Sequence, residues 1–376
     1  MKKIVMLLSN GFAPDPRVAA EAQALTEAGY QVTIFAWDRT GQLPENEDYQ
    51  GIQIVRSKIG TTYSRGPLQI FKFRQFWKAA VAFLGEHSAD IIHCHDLDTL
   101  WPGIRYGRKF GIPVIFDAHE SYPDMVAHLF PSWLVLMIRR METSLVPKTT
   151  AVITVGEILA RHYQSLHAKK VMVVGNYKTL NLSEPVKPQK IPPLKIIYVG
   201  GLNRDRMIGP MIQAVSGDER YHLTIVGAGS ELSRLQELAG SSANILFTGY
   251  KPQAEARTLI DQCHLVYYGI DCTYANNQYS TPNLLFLALA SGRPIITTNV
   301  GEIAEIVRTQ GCGSVLADLE GTTIGRVLEQ YFEESLWQHQ SERSFRAAAS
   351  KYNWGIAKQN LLGLYQDLES QNGQAK

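Results

Sequence analysis

Thirteen short apolar runs, alternating with amphipathic stretches, restrict this chain to a narrow set of folds. They occupy 3–8, 32–36, 52–55, 90–94, 113–117, 151–155 and 171–174 in the first half, and 195–199, 222–226, 245–248, 264–268, 294–298 and 314–317 in the second. Runs this short, apolar on both faces, suit a parallel sheet covered by helices on either side. Their alternation with helical signals predicts doubly wound α/β units. The segment SEPVKPQKIPPL, 183–194, holds four prolines and no apolar periodicity, so it reads as a linker, and strand-then-helix logic restarts at Leu194. Dividing 376 residues by about 150 per domain gives two domains and a remainder. Two Rossmann-like domains facing a central cleft would set the carboxyl ends of both sheets around it, and open α/β sheets bind ligands at those ends.

Hydrophobic residues make up 45% of the chain and charged residues 19%, enough for sizeable cores and incompatible with wholesale disorder. With 37 basic and 35 acidic side chains the formal charge is +2, so no global basic field points to nucleic acid. The opening MKKIVMLLSNGF imitates a secretory signal, but Asn10 and Gly11 end its apolar run before the roughly 7–15 residues such a signal needs. A first buried strand is expected instead. No apolar run approaches the roughly 18–20 residues of a membrane span. Cys94, Cys263, Cys272 and Cys312 form no CxxC pair, which supports neither a disulfide framework nor a structural zinc site. A cytoplasmic protein is the expectation. Residues 49–85 are a local anomaly, with Arg56, Lys58, Arg65, Lys72, Arg74 and Lys78 and no acid. Within them Ile70, Phe73, Phe76, Trp77, Ala80, Val81 and Leu84 fall at helical spacing. Such a basic amphipathic helix can lie on an anionic membrane at the inner face of the cell, and its apolar stripe can equally face a domain core.

Chemistry concentrates just after the strands. In SNGFAPDPRVAAEAQALTEAGY, Asp15 suits an N-cap, Pro16 a first turn and Gly29 the end of a helix over about 16–28. Arg17 in that first turn is unusual, since the helix dipole disfavours a cation there. It reads as a solvated side chain or as a functional one. HCHDLDTL packs His95, Asp96 and Asp98 onto a strand end, where a hydroxyl-rich ligand could be gripped. The two carboxylates also have the chemistry of a hard-cation pair, and either could cap the next helix. FDAHESYPD sets Asp117, His119 and Glu120 at the neighbouring strand end, more polar groups than capping requires.

The second half opens with KIIYVGGLNRDRMIGPMIQAV, a strand leading to a glycine pair, then Arg204 and Arg206, then a helix. Glycines let backbone N–H groups approach an anion, and arginine clamps phosphate. In TIVGAGSEL, Gly227 and Gly229 match half of GxGxxG, but Leu232 stands where the last glycine belongs, which argues against a dinucleotide fingerprint. ILFTGYKP sets Tyr250 and Lys251 just past a strand end, where a ring or backbone could meet a nucleobase. In QYSTPNLLFLALASGRPIITTNVGEIAEIV, Thr281 as N-cap, Pro282 at the first position and Gly292 at the end predict a helix of about ten residues. Its body LLFLALA is apolar all round, so the helix should be buried. A buried helix opening on a cleft is a natural phosphate seat; a core helix with ordinary caps explains the same residues.

The order of PDPRVAAEAQAL, HCHDLDTL, FDAHESYP, VGGLNRDR, STPNLLFLALASGRPII and NVGEIAEIV is similar to that of glycosyltransferase family 4, which has the two-domain GT-B fold. KYNWGIAKQNLLGLYQDL resembles the family's tryptophan-containing helix that crosses back over the amino domain. The resemblance implies an acceptor-binding domain over 1–178, a nucleotide-sugar-binding domain over 179–345 and a returning helix over 346–376. It implies an enzyme needing no metal or cofactor that transfers a sugar, with retention, from a nucleotide-sugar donor to a glycan or glycolipid acceptor. His119 matches the histidine that meets the donor sugar and the reacting centre, and Arg206 the basic residue that neutralises the leaving diphosphate. Gly200, Gly201, Arg204, Gly227, Tyr250, Lys251 and Ser280 are expected on the donor side. There too fall Thr281, Pro282 and Asn283 at the helix start, and Glu305 in a glycine-then-glutamate segment. Gly11, Arg17, His95, Asp96, Asp98 and Glu120 are expected on the acceptor side.

The departures from the family are specific. Members usually carry an arginine where Gly201 stands and a lysine where Leu284 stands. They also carry a glutamate pair at the places of Tyr279 and Leu287, whose second member binds the ribose hydroxyls. A leucine accepts no hydrogen bond, and each lost charged contact costs about 1.5–3 kcal/mol. Amides and hydroxyls of Asn276, Asn277, Gln278, Tyr279 and Ser280 stand nearby as replacements. Two classes follow: an active glycosyltransferase with a reshaped donor site, or a catalytically inactive GT-B protein serving as partner or scaffold of an active one.

Overall fold

The computed structural model describes residues 1–60, 68–180 and 191–374. Arg65 and residues 183–190 of the expected linker lie outside them. The chain divides into two compact units, Met1–Gly175 with Ala357–Lys376, and Asn176–Ile356.

The first unit contains β1 (Lys3–Leu8), β2 (Gln31–Trp37), β3 (Asn46–Tyr49), β4 (Ile52–Ser57), β5 (Ile91–His95), β6 (Val114–Ala118), β7 (Ala151–Thr154) and β8 (Val171–Val173). They form one sheet in the order β3-β4-β2-β1-β5-β6-β7-β8. All neighbours run parallel except β3 and β4. Strand β3 has no counterpart among the apolar runs because Asn46, Glu47 and Asp48 are exposed; a charged edge strand blunts pairing with other chains. It turns back at Gln50 and Gly51, whose φ values of 54° and 84° match the twist of a tight hairpin.

The helices of this unit are α1 (Pro16–Glu27), α2 (Leu68–Glu86), α3 (Leu97–Phe110), α4 (Tyr122–Val126), α5 (Ser132–Leu145) and α6 (Glu157–Ser165). Asp15 caps α1 as expected, accepting from the backbone N–H groups of Arg17 and Val18. The connections from β4 to β5, β5 to β6 and β6 to β7 cross the sheet in one direction, and that from β1 to β2 in the other. Right-handed crossovers therefore place α2, α3 and α5 on one face and α1 on the opposite face. The apolar stripe of α2 faces the core: Phe76, Ala80 and Leu84 are fully buried, and Phe76 stacks on Phe35 and Trp37.

The second unit holds β9 (Leu194–Val199), β10 (Tyr221–Val226), β11 (Ile245–Gly249), β12 (Leu265–Tyr268), β13 (Ile295–Thr298) and β14 (Gly313–Leu316), all parallel, in the order β11-β10-β9-β12-β13-β14. Its helices are α7 (Ile208–Val215), α8 (Leu232–Ala239), α9 (Gln253–Asp261), α10 (Asn283–Ala290), α11 (Gly301–Gln310), α12 (Gly321–Gln330) and α13 (Glu334–Ser350). Every residue of α10 from Leu284 to Ala290 is buried, as its apolar composition requires. The helix starts one residue later than the Thr281 cap predicts: Pro282, at φ −64° and ψ 143°, is still extended and occupies the cap position itself.

The last helix, α14 (Trp354–Gln374), belongs to the first unit from Ala357 onward. Ala357, Leu361, Leu364, Tyr365 and Leu368 are buried along one helical stripe. Each large apolar side chain so covered contributes about 1.5–3 kcal/mol. Asn360 also donates to the carbonyl of Val173 at 3.1 Å. Among the described residues no helix is long and apolar enough to cross a membrane.

Candidate active site

In each sheet one strand has neighbours reached by oppositely directed crossovers: β1 lies between β2 and β5, and β9 between β10 and β12. Open α/β sheets bind ligands at the carboxyl ends of strands at such switch points. In the first unit this edge gathers the residues singled out in HCHDLDTL and FDAHESYPD.

Asp117 is their hub. Strand register sets it opposite His95, and it is fully buried. Its Oδ1 accepts from Arg17 Nη2 at 2.7 Å. Its Oδ2 lies 3.1 Å from Arg17 Nε, 3.1 Å from His95 Nδ1 and 3.0 Å from His119 Nε2. Arg17 also donates to the Val174 carbonyl at 2.7 Å and pairs with Glu21, one turn along α1, at 3.0 Å. Its side chain is only 10% exposed, so the solvated reading of Arg17 falls. The ionised Asp117 offsets the unfavourable helix dipole at its position. His93, two residues before His95 on the same strand face, bonds through Nδ1 to the Tyr365 hydroxyl of α14 at 2.7 Å. Its Nε2 lies 3.8 Å from both Glu21 and Asp117. Glu21, His93, His95 and Asp117 are all metal-ligating types with ligand atoms within 4.8 Å of one another. The Arg17 guanidinium lies against both carboxyl groups and already supplies the counter-charge of Asp117.

Asp96 does not cap α3. Its side chain turns to His119, with Oδ1 3.4 Å from the His119 backbone N and Oδ2 3.4 Å from Nδ1. Thr99 instead closes the helix start by donating to the His95 and Asp96 carbonyls. At φ 62° and ψ 163° the Asp96 backbone sits in a region costing about 1–3 kcal/mol, held by its surroundings at a potential functional edge. Burial pulls His119 toward the neutral form, but Asp96 and then Asp117 outweigh it and hold the imidazole well above its ordinary range. Burial would likewise raise Asp117, yet Arg17 and then His119 keep it well below the usual carboxylate range. Burial pushes Glu21 up to about 8, against the pull of Arg17, and His93 down to about 4. Burial, with Asp96 beside it, raises Asp98 to about 7.

A pH signature follows. Because the folded pKa of His119 is raised, its contribution to stability is complete below the unfolded histidine value of about 6.5 and is lost as pH rises through the folded value. The depressed Asp117 contributes above the unfolded value of about 3.9 and fails as pH falls through its folded value. Urea unfolding of wild type and His119→Gln should therefore show the widest stability gap at roughly pH 4–6.5, narrowing on the alkaline side. A gap that widens above neutrality would contradict the assignment.

The remaining residues expected on the acceptor side divide by exposure. Asp96 and Glu120 reach solvent, whereas His95 and Asp98 are buried. Gly11 lies under Leu43, and its carbonyl is taken by Arg56 Nε at 2.7 Å.

In the second unit, β9 and β10 run into two glycine loops packed backbone to backbone. The Gly200 and Leu202 amides donate to the Val226 and Ala228 carbonyls at 3.0 and 2.9 Å. A Cβ on Gly227, at φ 149°, would stand 1.8 Å from the Gly200 carbonyl oxygen. Gly227→Ala should therefore destabilise this unit by about 1–3 kcal/mol, read from the urea midpoint. Arg206 bridges to Ile270 beyond β12, so it sits at the β9/β12 switch point. Its Nη1 is 2.6 Å from Asp205 Oδ2 and its guanidinium lies 5.4 Å from the Tyr268 ring centroid. Arg204 and Gly201 are exposed on the same loop, and the Gly201 carbonyl accepts from Tyr198 at 2.8 Å.

Tyr250 and Lys251 follow the edge strand β11, away from Arg206 in strand order. Tyr250 is 77% exposed, and Lys251 pairs with Glu255 at 3.2 Å. The backbone of Gly301 crosses so close to Gln278 that a Cβ would lie 2.2 Å from its carbonyl oxygen. The start of α11, with Glu305 one turn on, therefore meets the segment leading through Ser280, Thr281 and Pro282 into α10. Asn277 is buried and donates to the Asp271 carbonyl at 2.8 Å, so it supports the loop. Leu284 and Leu287 are core residues. Lys178, which no motif singled out, reaches the Asn283 side chain at 2.8 Å and brings a cation to the α10 start from elsewhere in the chain. Glu21, His93 and Tyr365 were also missed; the Arg17–Glu21 spacing of one helical turn and the period-two His93 and His95 were the available signals.

Residues 17–177 match the family described as Glycosyltransferase Family 4, and residues 193–327 that described as Glycosyl transferases group 1. A glycogen synthase of Mycobacterium tuberculosis is 20% identical over 275 residues, 70% of this chain. The match spans 66% of that relative, just under two thirds of its length. An uncharacterised glycosyltransferase of Methanocaldococcus jannaschii is 23% identical over 369 residues, 90% of each chain. Sucrose-phosphate synthase from Thermosynechococcus elongatus aligns with a TM-score of 0.81 at 15% identity, covering 98% of this chain and 100% of that one. The Anabaena protein HepE, solved in complex with UDP, aligns at 0.71 and 14% identity over 98% of this chain and 100% of that one. At these identities the structural likeness establishes the fold. Two parallel Rossmann-like sheets, matched in order by a Glycosyltransferase Family 4 domain and a glycosyl transferases group 1 domain, show that this chain is built of these two glycosyltransferase domains and has the GT-B fold.

Proposed function

We propose that this chain is a retaining, metal-independent glycosyltransferase that moves a sugar from a nucleotide-sugar donor to a glycan or glycolipid acceptor. The observation that carries the reading is the placement of the glycine loop that follows β9 and of Arg206, bridged to Ile270 beyond β12, at the β9/β12 switch point. That is the chemistry of a diphosphate seat. In the transfer, the bond between the sugar's anomeric carbon and the diphosphate oxygen breaks as the acceptor hydroxyl bonds to that carbon. The acceptor's proton passes to the leaving phosphate oxygen. Arg206 neutralises the charge developing on the diphosphate, which is why the reading needs no metal. His119, kept cationic by Asp96 and Asp117, which hold its two ring N–H groups, brings positive charge to the sugar at the reacting centre. Half-buried Asp96 and exposed Glu120 carry the carboxylates that would face the hydroxyls of the second substrate. UDP, present in the HepE structure, is the first nucleotide to try.

His119→Ala tests the reading. Nucleoside diphosphate release coupled to transfer should fall about 10²–10³-fold, and NMR of the wild-type product should show the donor's anomeric configuration. Unchanged transfer or an inverted product would overturn the assignment. A catalytically inactive scaffold is the second reading, favoured by one observation: Leu284 and Leu287, at positions where the family carries a cation and a ribose-binding carboxylate, are buried in the core.

A further inference from the structure

We propose that the outer face of the α2–α3–α5 layer docks on an anionic lipid bilayer, which sets the polar edge around His119 beside a lipid-borne acceptor; only that acceptor rests on the transfer reading. Large exposed hydrophobic side chains are scarce among the described residues, yet Phe71, Phe110, Trp133, Leu136 and Met137 all lie on these three helices. Trp133, Leu136 and Met137 are spaced i, i+3, i+4, so they share one face. The buried positions of α5, Glu142 and Leu145, lie at its other end. The first half of α5 thus shows water the side that a soluble helix normally covers.

Charge identifies the occupant. The exposed charged side chains of the three helices are Arg74, Lys78, Arg105, Arg108, Lys109 and Arg140, against the single carboxylate Glu86. This excess sits on a chain whose formal charge is only +2, so cations are segregated to this face. Separate apolar groups interspersed with exposed charges of one sign are unlike the core of a protein interface, which is depleted in charge. They suit the headgroup layer, where tryptophan and aliphatic side chains enter while cations meet anionic phosphates. Position supports the same choice. Helices α2 and α5 begin beyond the carboxyl ends of β4 and β6, so Phe71 and Trp133 lie toward the sheet edge that carries Asp96 and His119. Of the stripe that suggests a membrane in the sequence, Ile70 to Leu84, the residues Phe76, Ala80 and Leu84 are on the other side of α2 and pack into the core.

The test is flotation of the full chain with phosphatidylcholine vesicles containing phosphatidylglycerol, and with phosphatidylcholine alone. The protein should float with the anionic vesicles only, and less in high salt. Arg74→Gln with Arg140→Gln should weaken partitioning about 30-fold. Trp133→Ser with Leu136→Ser and Met137→Ser should abolish flotation without changing the melting temperature, since all three side chains are exposed. Protein that stays soluble with anionic vesicles, or variants that float like wild type, would overturn the proposal. So would a triple variant that floats normally but loses self-association in gel filtration, which would make the face a protein interface. UDP binding is measured on the same samples. Nucleotide binding without flotation overturns docking and leaves the transfer reading; flotation with no nucleoside diphosphate bound does the reverse.

Discussion

Arg17→Leu is expected to destabilise the first unit by about 3–5 kcal/mol, because it strips the buried Asp117 carboxylate of its strongest cation. The melting temperature should fall by roughly 6–20 °C. The loss should depend on pH with a defined sign. Asp117 contributes stability above the unfolded carboxylate value, and in the variant its folded pKa rises, so the contribution disappears. The gap between wild type and variant should be widest near neutrality and close as pH falls below about 4. Asp117→Asn should cost less in the Arg17→Leu background than alone, since the two side chains share one interaction. Additive losses with no pH dependence would mean that Arg17 acts through packing alone.

The second large effect is on chemistry. Arg206→Ala should lower kcat and kcat/KM together by about 10²–10³-fold, the pattern of a contact made to charge that develops in the transition state. The fold should tolerate the change, because the side chain is 21% exposed and its carboxylate partner Asp205 is 20% exposed and open to water. Arg206→Lys should recover part of the rate, since lysine restores the charge without the paired hydrogen bonds. A variant that raises only KM would show that Arg206 binds the donor equally in ground and transition states.

The strands were legible because apolar residues on both faces leave few alternatives, and each apolar run corresponds to one strand. Strand β3 was not, because Asn46, Glu47 and Asp48 are polar, exposed residues and only pairing with β4 makes them a strand. The α1 cap was read correctly because Asp15 and Pro16 act locally. The α10 cap was misplaced because Thr281 precedes a proline, whose neighbours favour extended backbone. His119, Asp96 and Asp117 could be suspected from two polar strand ends. That Asp117 links Arg17, His95 and His119 depends on strand register and on helix α1 crossing back, neither of which is local. Tyr365 bonds to His93 across 272 positions, beyond any spacing argument. Lys178 reaches Asn283 in the same nonlocal way.

Thermal unfolding of the wild-type chain with UDP, GDP, ADP and dTDP, each with and without EDTA, tests the central claim most directly. A nucleotide at about a hundred times its dissociation constant adds roughly 2.7 kcal/mol of stability, a shift of several degrees. The account predicts that one nucleotide raises the melting temperature, that EDTA leaves the shift intact, and that Arg206→Ala diminishes it. No shift with any nucleotide would contradict it, and would mean that Leu284 and Leu287 have closed the donor site and that the chain serves as a scaffold.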